Sequence, residues 1–479
     1  MLKRTKIVAT ISDKRCNPEF LKPLIDAGVN VFRLNTAHLQ PDNAKMMVET
    51  IRKVDPKAAV LIDTKGPEIR TVGQGEEIDV KTGDLIEVTG NPEGSTQTGK
   101  LCVSYPHISA NMKVGQHVLI DDGEIDMTVE ENRGDILICK VLNEGKIKFK
   151  KGVNIPNVKV NLPVVSEKDH RYIRMAIDLK MDFIAHSFVQ EASDIEEIKS
   201  ILKAADSNIA VIAKIENQIG VQNLDAILEV ADGIMVARGD LGIEIPQEKI
   251  PAIQRRIVKE CINRKKPVII ATQMLHTMID HPRPTRAEIA DIATAVAEKA
   301  DALMLSGETA MGAYPVEAVQ TMTKVALEME KEMESLHFRK LLPETGSVLS
   351  LLAYSAVTAC LNLPIKAVIA DTISGKTVHY LAAYRGVIPV YAICYTEAVQ
   401  RQLALVYGVQ AFIVPFWTSK ELFMQTIVTE LLENRLLEES DQVVVVGGSY
   451  GLSGGASFVE ISHVKDLLKK EDFLLDCNF

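Results

Sequence analysis

The residues of this chain with chemistry to offer fall at the ends of apolar runs. In Ala213-Lys214-Ile215-Glu216-Asn217 the two-residue period of a strand puts an ammonium and a carboxylate on one side, about 7 Å apart. A Lys beside a Glu on a strand also reads as a plain structural ion pair. Asp240 shifts the balance, because it ends the next run in Ala237-Arg238-Gly239-Asp240-Leu241-Gly242. Glu216 and Asp240 can together hold one hard divalent cation through oxygen and leave positions for water and substrate, which suits Mg²⁺ on a phosphate or carboxylate. The backbone N–H groups after Asp240 are expected to open a short helix and accept an anion.

Other runs end in the same way: Phe32-Arg33-Leu34-Asn35, Ile62-Asp63-Thr64-Lys65, His186-Ser187-Phe188, Ala271-Thr272-Gln273 and Ser306-Gly307-Glu308-Thr309. Arg33, Lys65, Arg70 and Lys151 are basic residues near this convergence, either donors for phosphate oxygens or solvated surface charges. Thr272 is a hydroxyl on an otherwise apolar run, read equally as a satisfied core threonine or as a group that handles a proton. Thr285 with Glu288 has capping-box spacing and reads first as helix-start chemistry. His276 and His281 lack the H-E-x-x-H spacing, and no Ser-His-Asp order suggests itself.

The elements that must position these residues alternate. Strand-like runs at 6–11, 29–35, 58–64, 182–188, 209–216, 233–238, 267–273 and 302–306 are mostly followed by segments of helical period. Eight strands apolar on both faces, each joined through a helix, predict a (β/α)₈ TIM barrel whose strand ends face one mouth. An open doubly wound sheet is the alternative. Between Gly66 and Pro163 helical period gives way to short alternating segments split by Gly, Asn and Thr. This predicts a small all-β insertion after the third strand, placed to act as a lid. From about Gly346 a second α/β series begins. The predicted division is residues 1–66 and 164–340 as barrel, 67–163 as inserted β-barrel, and 341–479 as a C-terminal three-layer α/β domain.

At 479 residues the chain exceeds one core of roughly 150 residues several times over. Its 54 Lys+Arg against 64 Asp+Glu give a net charge of −10, so no global field favours nucleic acid or an acidic membrane surface, and an anionic substrate needs local positive charge or a metal. The seven cysteines are scattered without a C-x-x-C pair, which reads as reduced, cytoplasmic thiols. No secretion signal is seen, and the uncharged stretch from Ser347 to Ile365 is expected to be a buried helix, not a membrane span.

With these residues assembled, the sequence resembles the pyruvate kinase family along essentially its whole length. The resemblance is carried by Asp63-Thr64-Lys65-Gly66-Pro67-Glu68-Ile69-Arg70, Lys151-Gly152-Val153-Asn154-Ile155-Pro156, Lys214-Ile215-Glu216-Asn217, Met235 through Gly242, Ala271-Thr272-Gln273-Met274-Leu275 and Leu305-Ser306-Gly307-Glu308-Thr309. It implies a phosphotransferase acting on phosphoenolpyruvate and ADP to give pyruvate and ATP. On that resemblance Glu216 and Asp240 bind Mg²⁺, and Lys214 stabilises the phosphoryl group in transit. Arg33 grips the transferring phosphate, and Thr272 sits near the face where enolpyruvate is protonated. Ser187, Ala237, Arg238, Gly239 and Asp240 contact substrate, while ADP lies near Arg33, His38 and Lys151. Asn35, Asp63 and Thr64 are implied K⁺ ligands, and Glu68 matches the form that goes with K⁺ dependence. Thr372-Ile373-Ser374-Gly375-Lys376-Thr377 resembles a loop for a sugar-phosphate effector over which the loop 447–455 can close, and reads equally as a simple capped helix with a flexible turn; a homotetramer is implied by the family alone.

The sequence also departs from the family pattern. Ala37 stands where a serine helps ligate the monovalent cation, and Ala290 and Thr294 replace the usual Ser and Asn. Two other function classes remain open at this point. One is a Mg²⁺-dependent carbon–carbon lyase working through a pyruvate enolate; the inserted β-domain and Lys214 speak against it. The other is a catalytically dead metabolite sensor, which would be expected to have lost Lys214, Glu216 or Asp240.

Overall fold

The computed structural model describes residues 3–37, 39–73, 77–333, 342–415, 420–448 and 455–468. Eight parallel strands close a barrel: β1 (Lys6–Thr10), β2 (Val31–Asn35), β3 (Ala59–Asp63), β4 (Phe183–His186), β5 (Ala210–Ile215), β6 (Gly233–Ala237), β7 (Val268–Ala271) and β8 (Ala302–Leu305). Each strand pairs with its neighbours in sequence order, and β8 returns to β1, so the open-sheet alternative is excluded. These strands are buried almost throughout, as expected when helices cover the outside and side chains fill the inside.

The inside and outside of the barrel have different cores. Val8, Val31, Ala59, Leu61, Phe183, Ala185, Ile212, Met235, Ile269, Ala271, Ala302 and Met304 of the strands form one cluster inside the barrel, joined by Leu405. Their alternates, such as Ile7, Phe32, Val60, Ile184, Val211 and Ile234, join the cluster under the helices. Because side chains alternate along a strand, extending the inward set by two residues brings Thr10, Arg33, Asp63, Ser187, Lys214 and Ala237 to the same mouth.

After β3 the chain forms a second closed barrel of seven strands, from Ile69–Val72 to Gly152–Asn154, with a separate two-stranded ribbon. Its own core includes Val88, Leu101, Ile120, Met127 and Leu137. The C-terminal sheet has five strands in the order Val409–Ile413, Val390–Cys394, Ile365–Asp371, Gln442–Gly448, Ala456–His463, the last antiparallel. Separate apolar clusters lie on its two faces, giving the three layers predicted.

Buried ion pairs seat this sheet on the barrel base. Arg401 Nε meets Asp182 Oδ1 at 2.8 Å, Arg385 pairs with Asp301, and Leu405 packs into the strand-lined core. The helix Val348–Asn362 corrects one expectation. It buries Ser350, Ala353 and Ala356 but exposes Val348 (64%), Leu351 (54%) and Leu361 (50%); an uncharged, Leu- and Ala-rich helix reads as buried when only one of its faces meets the sheet. None of the described helices is long and apolar enough to cross a membrane.

Candidate active site

Lys214 is the hub of the barrel mouth. Its ammonium donates to Ser187 Oγ at 2.6 Å and to Asp63 Oδ1 at 3.1 Å, and lies 2.9 Å from Glu216 Oε1. Asp63 also receives Arg33 Nε at 2.7 Å, while Arg33 Nη1 donates to Thr10 Oγ1 at 3.0 Å. All of these side chains are buried. Burial alone would push the Lys214 ammonium down, but the Asp63 and Glu216 carboxylates outweigh it and hold the group above the usual lysine range. Burial likewise disfavours charge on Asp63, yet Arg33 and Lys214 keep its carboxyl below its ordinary value. The result is a fixed cationic pair, Arg33 and Lys214, bracketing one carboxylate.

Beside it stand the two carboxylates singled out in the sequence. Glu216 Oε2 accepts the Phe188 N–H at 2.6 Å, and Phe188 holds φ at +57°, a conformation that costs a bulky residue energy and is found mainly where the surroundings enforce it. Burial pushes Glu216 well above the carboxylate range, with Lys214 opposing and Asp240 adding to the shift. Asp240 is pushed up by burial too, with Lys214 opposing and Asp122 of the inserted barrel adding. Two carboxyls pushed up chiefly by desolvation are short of positive charge, which a hard divalent cation would provide. The donor set therefore fits Mg²⁺. Among the described residues no group of three or more His, Cys, Asp or Glu gathers as a metal cluster, so the pair stands without a third such ligand.

The turn around Asp240 differs from expectation. The helix spans Arg238–Glu244 and already contains Asp240 in its first turn, so the N–H groups without an intrahelical partner lie at and before Asp240, not after it. One of them, Gly239 N–H, is accepted by Thr272 Oγ1 at 2.8 Å, and the Thr272 hydroxyl donates to Ala271 O at 2.6 Å. Thr272 and Gln273 have φ of +68° and +57°. A β-branched residue in that region is strained, and here the strain turns the hydroxyl of a β7 strand end toward β6. Arg238 is fixed by Asp291 at 2.6 Å and by Thr272 O at 2.7 Å. Thr285 and Glu288 form the predicted capping box.

The remaining candidates divide. Lys65 and Arg70 both pair with Glu68, at 3.1 and 2.6 Å, at the junction between the barrels. Lys151 Nζ pairs with Asp121 Oδ1 at 2.9 Å on the inserted barrel. His38 and residues 449–454 of the 447–455 loop lie outside the described residues. Asn35 Oδ1 accepts the Ala37 N–H at 3.0 Å, and Thr64 O accepts Ser187 Oγ at 2.8 Å, so the K⁺ candidates have local partners and Ala37 adds no side-chain oxygen. In the C-terminal domain Thr372 Oγ1 accepts Gly375 N–H at 2.9 Å, Gly375 sits at φ +81°, and the helix Lys376–Ala383 follows. Ser374 and Lys376 are exposed there, whereas Thr377 is buried.

Sequence reasoning missed Thr10, Phe188, Asp121 and Asp291 as partners of the site. Thr10 had a signal in the polar end of the first strand, and Phe188 in the run end His186-Ser187-Phe188; Asp121 and Asp291 are joined to the site only by long-range folding. A cleft of about 330 Å³ runs between the two barrels, lined among others by Asp240, Asn217, Glu244, Asn154 and His186.

Comparison with known proteins shows the family. A family model described as pyruvate kinase, barrel domain, matches residues 2–319, and one described as pyruvate kinase, alpha/beta domain, matches residues 350–462. The chain is similar to the pyruvate kinase of Borreliella burgdorferi, 43% identical over 473 residues that cover 98% of each chain. It is 42% identical to the pyruvate kinase of Geobacillus stearothermophilus, over 98% of this chain and 82% of that one. A crystal structure of a pyruvate kinase from Cryptosporidium parvum superposes with a TM-score of 0.90 at 34% identity, covering 96% of both chains.

Proposed function

The chain belongs to the pyruvate kinase family of phosphotransferases, and on that premise we propose that it transfers the phosphoryl group of phosphoenolpyruvate to ADP, giving ATP and pyruvate as the final step of glycolysis. The observation that carries this reading is the buried Lys214 ammonium, held between Ser187, Asp63 and Glu216 beside Asp240. As the bond from phosphorus to the enol oxygen breaks and the bond to an ADP phosphate oxygen forms, charge spreads over the phosphoryl oxygens. Catalysis then consists mainly of positioning and neutralising that charge. Lys214 and Arg33 do so with fixed cations, and Ser187 holds the lysine in place. Mg²⁺, bound through Glu216 and Asp240, supplies further positive charge to the substrate oxygens.

Ala237, Arg238 and Gly239 bind substrate through the start of the helix that contains Asp240, and Arg238 is held rigid for this by Asp291. The enolate left behind takes a proton at its methylene carbon. Thr272 serves that face, and its hydroxyl must turn away from Ala271 O to do so. The inserted barrel, residues 67–163, acts as a lid on the remaining barrel segments 1–66 and 164–340 and excludes water that would hydrolyse the phosphoryl group. ADP lies between them near Arg33, His38 and Lys151, and would bring a second Mg²⁺ with it; Lys151 exchanges Asp121 for phosphate as ADP binds.

K⁺ activation through Asn35, Asp63 and Thr64 belongs to the same proposal, with a partial donor set because of Ala37. So do a cytoplasmic homotetramer and a sugar-phosphate effector at Thr372, Ser374, Gly375, Lys376 and Thr377 of the domain 341–479. The deciding experiment is a coupled assay for ATP formation from phosphoenolpyruvate and ADP, repeated on Lys214→Met and Asp240→Ala. Full activity in either variant removes the site assignment.

A further inference from the structure

Arg33 is held from the strands on both sides of its own. On β3, Asp63 Oδ2 accepts its Nε–H at 2.7 Å, and on β1, Thr10 Oγ1 accepts an Nη1–H at 3.0 Å. Register explains why Thr10 is the partner: it lies directly opposite Arg33 in the parallel pairing of β1 with β2, so both side chains enter the barrel mouth together. The Thr10 hydroxyl is itself oriented. Its one proton goes to Leu305 O, the last carbonyl of β8, at 2.9 Å, which leaves only lone pairs to face the guanidinium. The backbone behind it is fixed as well, since the Thr309 hydroxyl donates to Thr10 O at 2.7 Å. Thr10 and Arg33 are both buried, so a hydrogen bond from a cation counts for more here than at the surface. Nε and Nη1 are thus engaged from two strands, while Nη2 has no partner among the described residues.

We propose that Thr10 is a positioning residue for the reaction proposed above: by holding Nη1 while Asp63 holds Nε, it fixes the plane of the Arg33 guanidinium and leaves Nη2 for the transferring phosphoryl group. A guanidinium tied at one nitrogen can still tilt about that bond, whereas ties from two strands define its plane. A cation fixed in this way needs no reorientation as charge builds on the phosphoryl oxygens, and fixed donors gain their catalytic effect from that saving. Thr10 itself touches no reacting atom. Closing the seam between β8 and β1 does not require the Arg33 bond, because the Leu305 and Thr309 bonds already cross it, as does Ser12 Oγ, which donates to Ala310 O at 3.0 Å.

The inference rests on the functional reading, and two readouts keep their failures apart. One is kcat for ATP formation. The other is the NMR signal of the Arg33 guanidinium in the full chain carrying isotope-labelled arginine, assigned from its absence in Arg33→Lys. Thr10→Val keeps the branched shape and removes the hydroxyl. It should lower kcat about tenfold, the worth of one hydrogen bond to a charged group, and let the Arg33 Nη signals average through faster rotation. Inhibition by pyruvate, which carries no phosphoryl group, should stay within about twofold of wild type. Thr10→Ser keeps the acceptor and should recover kcat to within about threefold, with the Nη signals restored. Ser12→Ala cuts the same seam away from Arg33 and should leave kcat within about twofold. If Thr10→Val does not fold, Thr10→Cys, whose thiol is a weak acceptor, decides by the same values. The inference is overturned by a Thr10→Val kcat within about twofold of wild type, by unchanged Arg33 signals, by pyruvate inhibition that weakens in step with kcat, or by a Ser12→Ala loss as large as that of Thr10→Val. A wild-type chain that makes no ATP refutes the proposed function, while the Arg33 signals still judge the grip.

Discussion

Replacing Lys214 by methionine keeps the length and apolar stem of the side chain and removes one buried charge. In the structure that charge lies 2.9 Å from Glu216, 3.1 Å from Asp63 and 2.6 Å from Ser187. A unit charge about 4 Å from a phosphoryl oxygen is worth about 4 kcal/mol at an effective dielectric constant of about 20. Removing a single charge-stabilising donor from an active site costs about 3 to 4 kcal/mol. We therefore expect Lys214→Met to lower kcat about 10²- to 10³-fold in a lactate-dehydrogenase-coupled assay, with a smaller change in the KM for ADP, which is not bound by Lys214. Stability should fall as well, by about 3 kcal/mol, because Glu216 loses its buried counter-charge while Asp63 keeps Arg33. Added Mg²⁺ should return part of that stability. Lys214→Arg should restore the melting temperature more than the rate, since a planar guanidinium does not place its charge where the ammonium stood. A Lys214→Met enzyme within threefold of wild-type kcat would refute the reasoning.

Other perturbations follow from the same geometry. Asp240→Ala should raise the Mg²⁺ concentration for half-maximal rate at least tenfold, because one of two carboxyl ligands is gone; an unchanged titration would place the cation elsewhere. Arg401→Leu should destabilise the chain by about 3 kcal/mol in urea unfolding, since it leaves the buried Asp182 carboxylate without its partner; a loss under 1 kcal/mol would contradict this. His186 is buried against Thr64, and burial lowers its pKa from 6.5 to about 4. The unfolded chain therefore takes up that proton first as pH falls. Wild-type stability should drop between pH 7 and pH 5 by about 2 kcal/mol more than that of His186→Gln, and parallel stability curves would exclude it. Thr272→Gly should relieve the strain of its φ of +68° and gain about 1 kcal/mol in stability, while lowering the rate of proton delivery seen as solvent-hydrogen incorporation into pyruvate. Unaltered incorporation would free Thr272 of that role.

What the sequence could reveal depended on period. In strands of period two, placing Ile212 inside the barrel places Lys214 inside as well, and Leu61 does the same for Asp63. The mouth was legible for that reason, as was the eight-strand count behind it. Partner choice was not legible. Nothing near Arg238 in the chain announces Asp291, which lies across the barrel top on the helix Arg286–Ala297. Asp121 reaches Lys151 only because the inserted barrel folds its turns together. The helix at Asp240 begins three residues earlier than expected, at Arg238, because the Gly239 N–H is held by Thr272 and the helix runs through it. The exposed face of Val348–Asn362 was hidden for the opposite reason: Leu and Val residues fall all around the helix and no charge marks a solvent side, so period could not say which face meets the sheet.

The most direct measurement is ATP and pyruvate formed by the purified chain from phosphoenolpyruvate and ADP, before and after chelation of divalent cations. The account predicts equal amounts of the two products, loss of both on chelation, and recovery with Mg²⁺ in the wild type but not in Lys214→Met. Product formation that survives chelation, or pyruvate released without ATP, would contradict it.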